Sequence, residues 1–508
     1  MDRRCGILLP ITSLPSRYGI GCFSKEAFEF VDFLAEAGQT YWQILPLGQT
    51  GYGDSPYQSF STFAGNPYFI DPQELIDAGY ISAEAAGQFD FGREPRTVDY
   101  EKIYRNRYTL LRKAYANSPF CINPSEKWAD DAYDDDRMQL NHFIGDNLEW
   151  LPDYALFSAV KEYFDGDMFT KWPEEIRLRN TAAMDSYRIK LDEEIRFYEF
   201  LQFLFAKQWK KLKSYANDKG IKIIGDIPIY VAFDSADTWS HPELFELDEK
   251  GFPTVVAGVP PDAFSETGQL WGNPIYRWKF HKATGFDWWM QRLEQMFRLY
   301  DVVRIDHFRG FDEYWAVPYG DEDAMGGKWC KGPGYALFKA MKERLGDKEI
   351  IAEDLGYLTS SVLKLVKRTG YPGMKVLQFA FDGNIENAYL PHNYSNNAVV
   401  YTGTHDNDTT RGWYMSSDSE QLERINKYAG ISCSQEATRE LIRLAMQSVA
   451  DTAIIPIQDY LDYGSAARIN TPSTLGGNWC WRLVPGELTQ ELADKMREFA
   501  SIYGRIRK

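Results

Sequence analysis

Val302-Val303-Arg304-Ile305-Asp306 and Ile350-Ile351-Ala352-Glu353 decide the fold. Each is a short, β-branched-rich apolar run that stops on an acid. The pattern recurs at Ile221-Lys222-Ile223-Ile224-Gly225-Asp226 and at Val399-Val400-Tyr401-Thr402-Gly403-Thr404-His405-Asp406. A near-continuous apolar run is the mark of a parallel strand covered on both faces. Barrel enzymes carry their reactive groups at the C-terminal ends of such strands.

Working outward, eight candidate strands cover 5–11, 40–47, 221–227, 301–306, 349–353, 375–381, 398–404 and 452–458. Helical patterns separate most of them. Ser24 is a candidate cap for a helix with Ala27, Val31 and Leu34 on one face and Gly38 as its stop. Further helices are expected over 286–299, 359–367, 434–449 and 488–503, the second closed by Gly370 and Pro372. Strand and helix in alternation argue a parallel sheet, and eight repeats argue closure. The expected fold class is α/β, a (β/α)8 TIM barrel spanning 1–508 with large insertions at the C-terminal face of the strands. One insertion, 48–220, reads as largely helical, with patterns at 104–116 and 193–216. A second, 228–285, reads as loop-rich. The acidic run 130–136 reads as a solvated face.

A formal net charge of -17 disfavours nucleic acid and anionic membrane as partners. Aromatic residues make up 15% of the chain. Their flat faces and polar edges suit sugar rings, although most simply fill core. Six cysteines without C-x-x-C spacing imply neither a disulfide framework nor a zinc ribbon. The apolar run at 5–9 is short for a signal-peptide core, and no stretch approaches the roughly 20 apolar residues of a membrane span. A cytoplasmic protein is expected.

Asp306, Glu353 and Asp406 would end the fourth, fifth and seventh strands. Adjacent strands lie about 4.8 Å apart, so Asp306 and Glu353 suit the roughly 5–5.5 Å gap of a retaining glycosidase pair. Asp306 would attack the anomeric carbon and Glu353 would protonate the departing oxygen. Arg304, on the same face as Asp306, should keep Asp306 ionised. The Asp306 and Asp406 charges should raise Glu353. The competing structural reading pairs these acids with Arg304, Arg309 and other buried cations. A metal is the sharper rival, but His307 and His405 lack ligand spacing. Trp271 and its polar neighbours in 258–274 read as a turn-rich lid with a stacking platform. The segment 51–58 reads the same way.

These segments together resemble the amylomaltases, the 4-α-glucanotransferases of the α-amylase superfamily. The resemblance spans essentially the whole chain. It rests on 53–58, 225–231, the Trp271 loop, 303–310, 352–356, 402–408, 467–470 and Asn478-Trp479. It implies α-retaining transfer of a glucan segment, with Asp306 as nucleophile, Glu353 as acid/base and Asp406 holding the distorted sugar. It further implies donor contacts from Tyr57, Asp226, Arg304, His307, His405 and Asn470. Ser55 joins the candidate binding residues, and Gln269, Trp271, Asn273 and Asp262 fall near the acceptor. Ala263 stands where the family commonly has Tyr, and Ile469 where Met is usual. No Asn-His pair follows Asp226, so calcium is not implied. The expected partners are maltooligosaccharides and starch- or glycogen-derived 1,4-α-glucans, with no cofactor, for a monomer or homodimer. An α-amylase-like hydrolase and a non-catalytic glucan-binding protein are the rivals.

Overall fold

The computed structural model describes residues 3–51, 53–128, 130–261, 265–356 and 358–506. Its strands in chain order are β1 (Arg4–Leu8), β2 (Tyr41–Gln43), β3 (Lys222–Ile227), β4 (Val255–Val259), β5 (Gln269–Pro274) and β6 (Val302–Ile305). They continue with β7 (Glu313–Pro318), β8 (Lys328–Lys331), β9 (Ile350–Ala352), β10 (Gly373–Val376), β11 (Ala398–Tyr401) and β12 (Thr452–Pro456). Eight of them close a barrel in the order β1-β12-β11-β10-β9-β6-β3-β2, and every pairing in it is parallel. With helices between the strands, this is a (β/α)8 TIM barrel.

Alternation along the strands sorts side chains between two cores. Ile224, Val302, Ile351, Met374, Val399, Tyr401 and Ile454 fill the barrel interior. Ile223, Val303 and Ile350 point outward, into the apolar layer that includes Trp289, Leu293 and Met296 of the helix Asp287–Leu299. Continuing the inward parity upward reaches Asp226, Arg304, Asp306 and Glu353. The polar groups of the mouth are therefore the next layers of the same filling.

Several boundaries differ from expectation. The sixth barrel strand starts at Gly373 and ends at Val376; Leu377–Phe379 is a 3-10 turn. Its start at glycine has a local cause, because a Cβ there would lie 2.3 Å from the Asp354 carboxylate. Asp406 lies beyond Tyr401, the last residue of β11, on a turn of its own. Ser24 occupies the cap position of Lys25–Glu36, but its hydroxyl bonds Glu26 instead of a backbone N–H. Helix 434–449 begins as a 3-10 turn, with its α part at Ala437–Gln447.

The Trp271 segment is not a bare loop. β5 is the edge of a four-stranded antiparallel sheet ordered β5-β4-β7-β8, built from both the 228–285 region and the chain between β6 and β9. Its inner face, through Ala257 and Ala316, joins the main core. The long helix Asp192–Asp218 fixes the segment that follows β2. Gln202 pairs with both polar backbone groups of Gly65, at 2.8 and 2.9 Å, as a strand would. Gln208 accepts from Asp71 N at 2.7 Å. Asp134 and Asp135 of the acidic run are exposed in the first turn of Asp134–Gly145, where a helix N-terminus favours negative charge. No helix among the described residues is long and apolar enough to cross a membrane.

Gly225 faces outward on β3, where the Tyr300 ring lies 2.1 Å from the position of an added Cβ. Gly225→Ala must displace that ring and its bond from Leu47 N. Overpacking of this kind costs about 1–3 kcal/mol. Thermal unfolding should show a lower midpoint for the variant, and an unchanged midpoint would contradict the packing described.

Candidate active site

Register brings the acids to one level. β6 pairs with β9 through Ile305 and Ala352, so Asp306 and Glu353 leave adjacent strands side by side. β3 pairs with β6 through Asp226 and Arg304. Asp306 N donates to Ile227 O at 2.9 Å and Glu353 N to Ile305 O at 3.1 Å, so each acid still rides on its neighbour's ladder.

Arg304 is the hub. Its Nη1 donates to Asp226 Oδ2 at 2.6 Å and its Nη2 lies 3.0 Å from Asp306 Oδ1. Its Nε points to Met374 Sδ at 3.3 Å. Arg304 and Asp226 are buried, whereas the Asp306 side chain is 31% exposed to the mouth. Burial alone would lower the Arg304 pKa, but Asp226 and Asp306 outweigh it and hold the guanidinium charged.

From Asp226 the network crosses the mouth. Tyr57 Oη donates to Asp226 Oδ2 at 2.8 Å and lies 2.9 Å from His405 Nε2. With the phenol hydrogen directed at the carboxylate, Tyr57 accepts from His405, which places the imidazole hydrogen on Nε2. That nitrogen also lies 3.3 Å from Asp406 Oδ2. Asn470 Nδ2 donates to Asp406 Oδ1 at 2.6 Å, and Arg468 Nη2 donates to the Asp406 carbonyl at 2.7 Å. The Tyr57 ring stacks on His405, 5.4 Å between centroids, with Trp479 6.0 Å from each.

Glu353 is held differently. Its Oε2 accepts from His307 N and its Oε1 from Leu355 N, both at 2.7 Å. His307 reaches that position in the left-handed region, at φ +50°, a strained conformation for a non-glycine residue. Burial, then the Asp306 charge, pushes Glu353 up to about 7, against Arg304 and the two N–H donors. Burial is thus the larger cause, ahead of the like charges expected from sequence. Asp306 is also raised, to about 6, because burial outweighs Arg304. Arg304 therefore limits the rise and does not abolish it. Burial and then Arg309 push His307 down to about 3, so it is neutral.

The remaining candidates lie at the rim. The Trp271 ring meets His307 edge-on at 4.8 Å, and its Nε1 donates to Gln269 Oε1 at 3.0 Å. Asn273 is buried beneath the rim, where it donates to Val231 O at 2.8 Å and accepts from Gln58 Nε2 at 3.4 Å. Ser55 Oγ accepts from Tyr57 N at 3.3 Å and shapes the turn below the phenol. Asp262 and Ala263 lie outside the described residues. Sequence reasoning gave no site role to Met374, Arg468 or Trp479. Arg468 and Trp479 lie in the segments 467–470 and Asn478-Trp479 that carry the resemblance, whereas Met374 left no signal. Among the described residues no group of three His, Cys, Asp or Glu side chains is arranged to hold a metal ion, and all six thiols are free.

Paired carboxylates on adjacent strands, beside a buried arginine at the C-terminal mouth of a TIM barrel, are the equipment of a retaining glycoside-hydrolase-type enzyme. The profile of glycoside hydrolase family 77, described as 4-alpha-glucanotransferase, matches residues 9–488. The chain is 50% identical to a 4-alpha-glucanotransferase of Clostridium butyricum, over 97% of this chain and 99% of that one. It is 48% identical to a 4-alpha-glucanotransferase of Thermus thermophilus over the full length of both. The amylomaltase of Streptococcus agalactiae, solved in complex with acarbose, superposes with a TM-score of 0.94 at 42% identity, covering 99% of this chain and 100% of that one. The chain belongs to the 4-alpha-glucanotransferase family.

Asp226→Ala should strand Arg304 in the barrel with half its anionic partners gone. Breaking a buried pair from one side costs about 3–5 kcal/mol. Chemical denaturation should show a large fall in midpoint for Asp226→Ala and a smaller one for Asp226→Asn, which keeps the shape. Equal midpoints in wild type and Asp226→Ala would contradict this assignment.

Proposed function

We propose that the protein transfers a segment of a 1,4-α-glucan to the 4-hydroxyl of an acceptor glucan or glucose by a retaining double displacement. The carrying observation is the pairing of Asp306 and Glu353 at one level on adjacent strands, Asp306 against Arg304 and Glu353 raised to about 7. In the first step an Asp306 carboxylate oxygen attacks C1 of the donor sugar. The C1–O bond to the leaving segment breaks as Glu353 gives its proton to that oxygen. The glycosyl ester on Asp306 has inverted, β geometry. In the second step Glu353 takes the proton of the acceptor 4-hydroxyl, whose oxygen attacks C1 and releases Asp306. Two inversions restore the α configuration.

Asp406, fixed by His405 and Asn470, would accept hydroxyl hydrogen bonds that strengthen as the ring flattens. Tyr57 and His307 would line the donor side, with Asp226 and Arg304 buried behind them. Trp271, on the edge strand and against His307, would stack the acceptor sugar. Asn273 would act below the surface, by holding Gln58, and half-buried Ser55 by holding the Tyr57 backbone. The acarbose complex of the Streptococcus agalactiae amylomaltase supports a glucan-like ligand for this site. Transfer instead of hydrolysis requires the acceptor to be positioned better than water, which a covered groove favours.

With maltotriose, the products should be glucose and longer maltooligosaccharides at a constant total of reducing ends. A steady rise in reducing ends without longer products would identify a hydrolase. Asp306→Asn should lose several orders of magnitude in kcat and remain folded; undiminished kcat would point to another nucleophile.

The reactive form needs Asp306 ionised and Glu353 protonated. The rate in kcat/KM should therefore rise with pH through about 6 and fall through about 7, the two values belonging to the pair. Rates still climbing well above neutrality would exclude Glu353 as the acid.

A further inference from the structure

The turn that follows β12 grips both loops that meet on Asp406. Asp459, buried in the short helix Ile457–Tyr460, accepts three hydrogen bonds from the ends of the segment carrying His405 and Asp406. Thr402 Oγ1 donates to Oδ2 at 2.6 Å on one side. Thr410 donates on the other, its N to Oδ1 at 2.8 Å and its Oγ1 to Oδ2 at 2.7 Å. Its neighbour Gln458 donates from Nε2 to Ala467 O at 3.2 Å, at the root of the segment leading to Arg468 and Asn470. The two segments then clasp above: Asn470 N to His405 O at 3.1 Å, Asn470 Nδ2 to Asp406 Oδ1, and Arg468 Nη2 to Asp406 O.

We propose that Asp459 is a positioning residue for the glycosyl transfer, setting the place of Asp406 by fastening both ends of its loop to the short helix that follows the eighth barrel strand. The proposal rests on the reading that Asp406 holds the reacting sugar. The physical argument is one of local freedom. Asp406 sits past the end of β11, where no strand ladder fixes it, and its side chain is 45% exposed. Something must limit its travel, because a misplacement near 1 Å is enough to lose about a hundredfold in rate. Within the loop, Asn407 Oδ1 accepts from Thr404 N and Oγ1, both at 2.9 Å, so the turn is rigid in itself. A rigid turn is placed by its ends, and Asp459 holds both. Fully hydrogen-bonded buried carboxylates of this kind fix one arrangement where a partly bonded one would admit several.

Asp459→Asn keeps the volume but loses the acceptor shared by the two threonine hydroxyls. With maltotriose as substrate, kcat should fall by about tenfold to a hundredfold, with KM changed less than threefold. Thr410→Val, which removes one of the three bonds, should fall in the same sense by a smaller factor and serves if Asp459→Asn does not fold. The deciding measurement is the same substitution in an Asp406→Asn background, where it should change the residual kcat less than twofold. A residue that merely stabilises the fold would lower both backgrounds by the same factor, and that result overturns the proposal. So does an unchanged kcat in Asp459→Asn. If Asp406→Asn alone leaves kcat intact, the role given to Asp406 fails first, and with it this inference.

Discussion

One guanidinium buried in the barrel organises the mouth. Arg304 is held between Asp226 on the neighbouring strand and Asp306 two residues along its own, with Met374 beneath. A charge in that position would be prohibitive alone and is stable only because two carboxylates flank it. The reverse also holds. The acids crowd one another, and Arg304 is what lets Asp306 ionise near neutrality despite its burial. Asp226 then passes the constraint through Tyr57 and His405 to Asp406, on the far side of the barrel. The ion triad thus joins a buried pair, Arg304 and Asp226, to the partly exposed Asp306.

The two carboxyl groups proposed to react, Asp306 and Glu353, differ in their surroundings. Asp306 faces a cation and a partly open mouth. Glu353 faces backbone N–H groups and the negative charge of Asp306. Burial raises both, and the balance of neighbours leaves Glu353 the more readily protonated. That ordering is what an acid and a nucleophile need to work together at one pH. The left-handed backbone at His307 belongs to the same arrangement, since it turns an N–H onto Glu353 as the chain leaves β6.

The eight barrel strands were legible because a strand covered on both faces needs an unbroken apolar run, and a carboxylate at its end stands out. Legibility failed where tertiary contacts overrule local pattern. The sixth strand, expected at 375–381, instead starts at Gly373, where Asp354 occupies the space of a Cβ and only glycine fits. Gln269–Pro274 reads as loop from Gly272, Asn273 and Pro274, yet pairing with β4 makes it an edge strand. The hairpin of β7 and β8 passed unnoticed for the same reason, since each strand is short and finds its partner only in the folded sheet. In the site, the acids and Arg304 were accessible through strand parity. The bond from Tyr57 to Asp226 joins residues 169 apart, and no spacing announces it. Met374 and Asp459 read as an ordinary apolar residue and an ordinary acid, because their roles come from what lies against them.

The most direct test of the account is to trap the glycosyl enzyme and locate the bond. An α-glucosyl fluoride carrying a second fluorine at C5 slows release of such an intermediate, and peptide mass spectrometry then reads the modified residue. The account predicts a single hexosyl adduct on Asp306, absent in Asp306→Asn. An adduct on Glu353, Asp406 or any other side chain would contradict it.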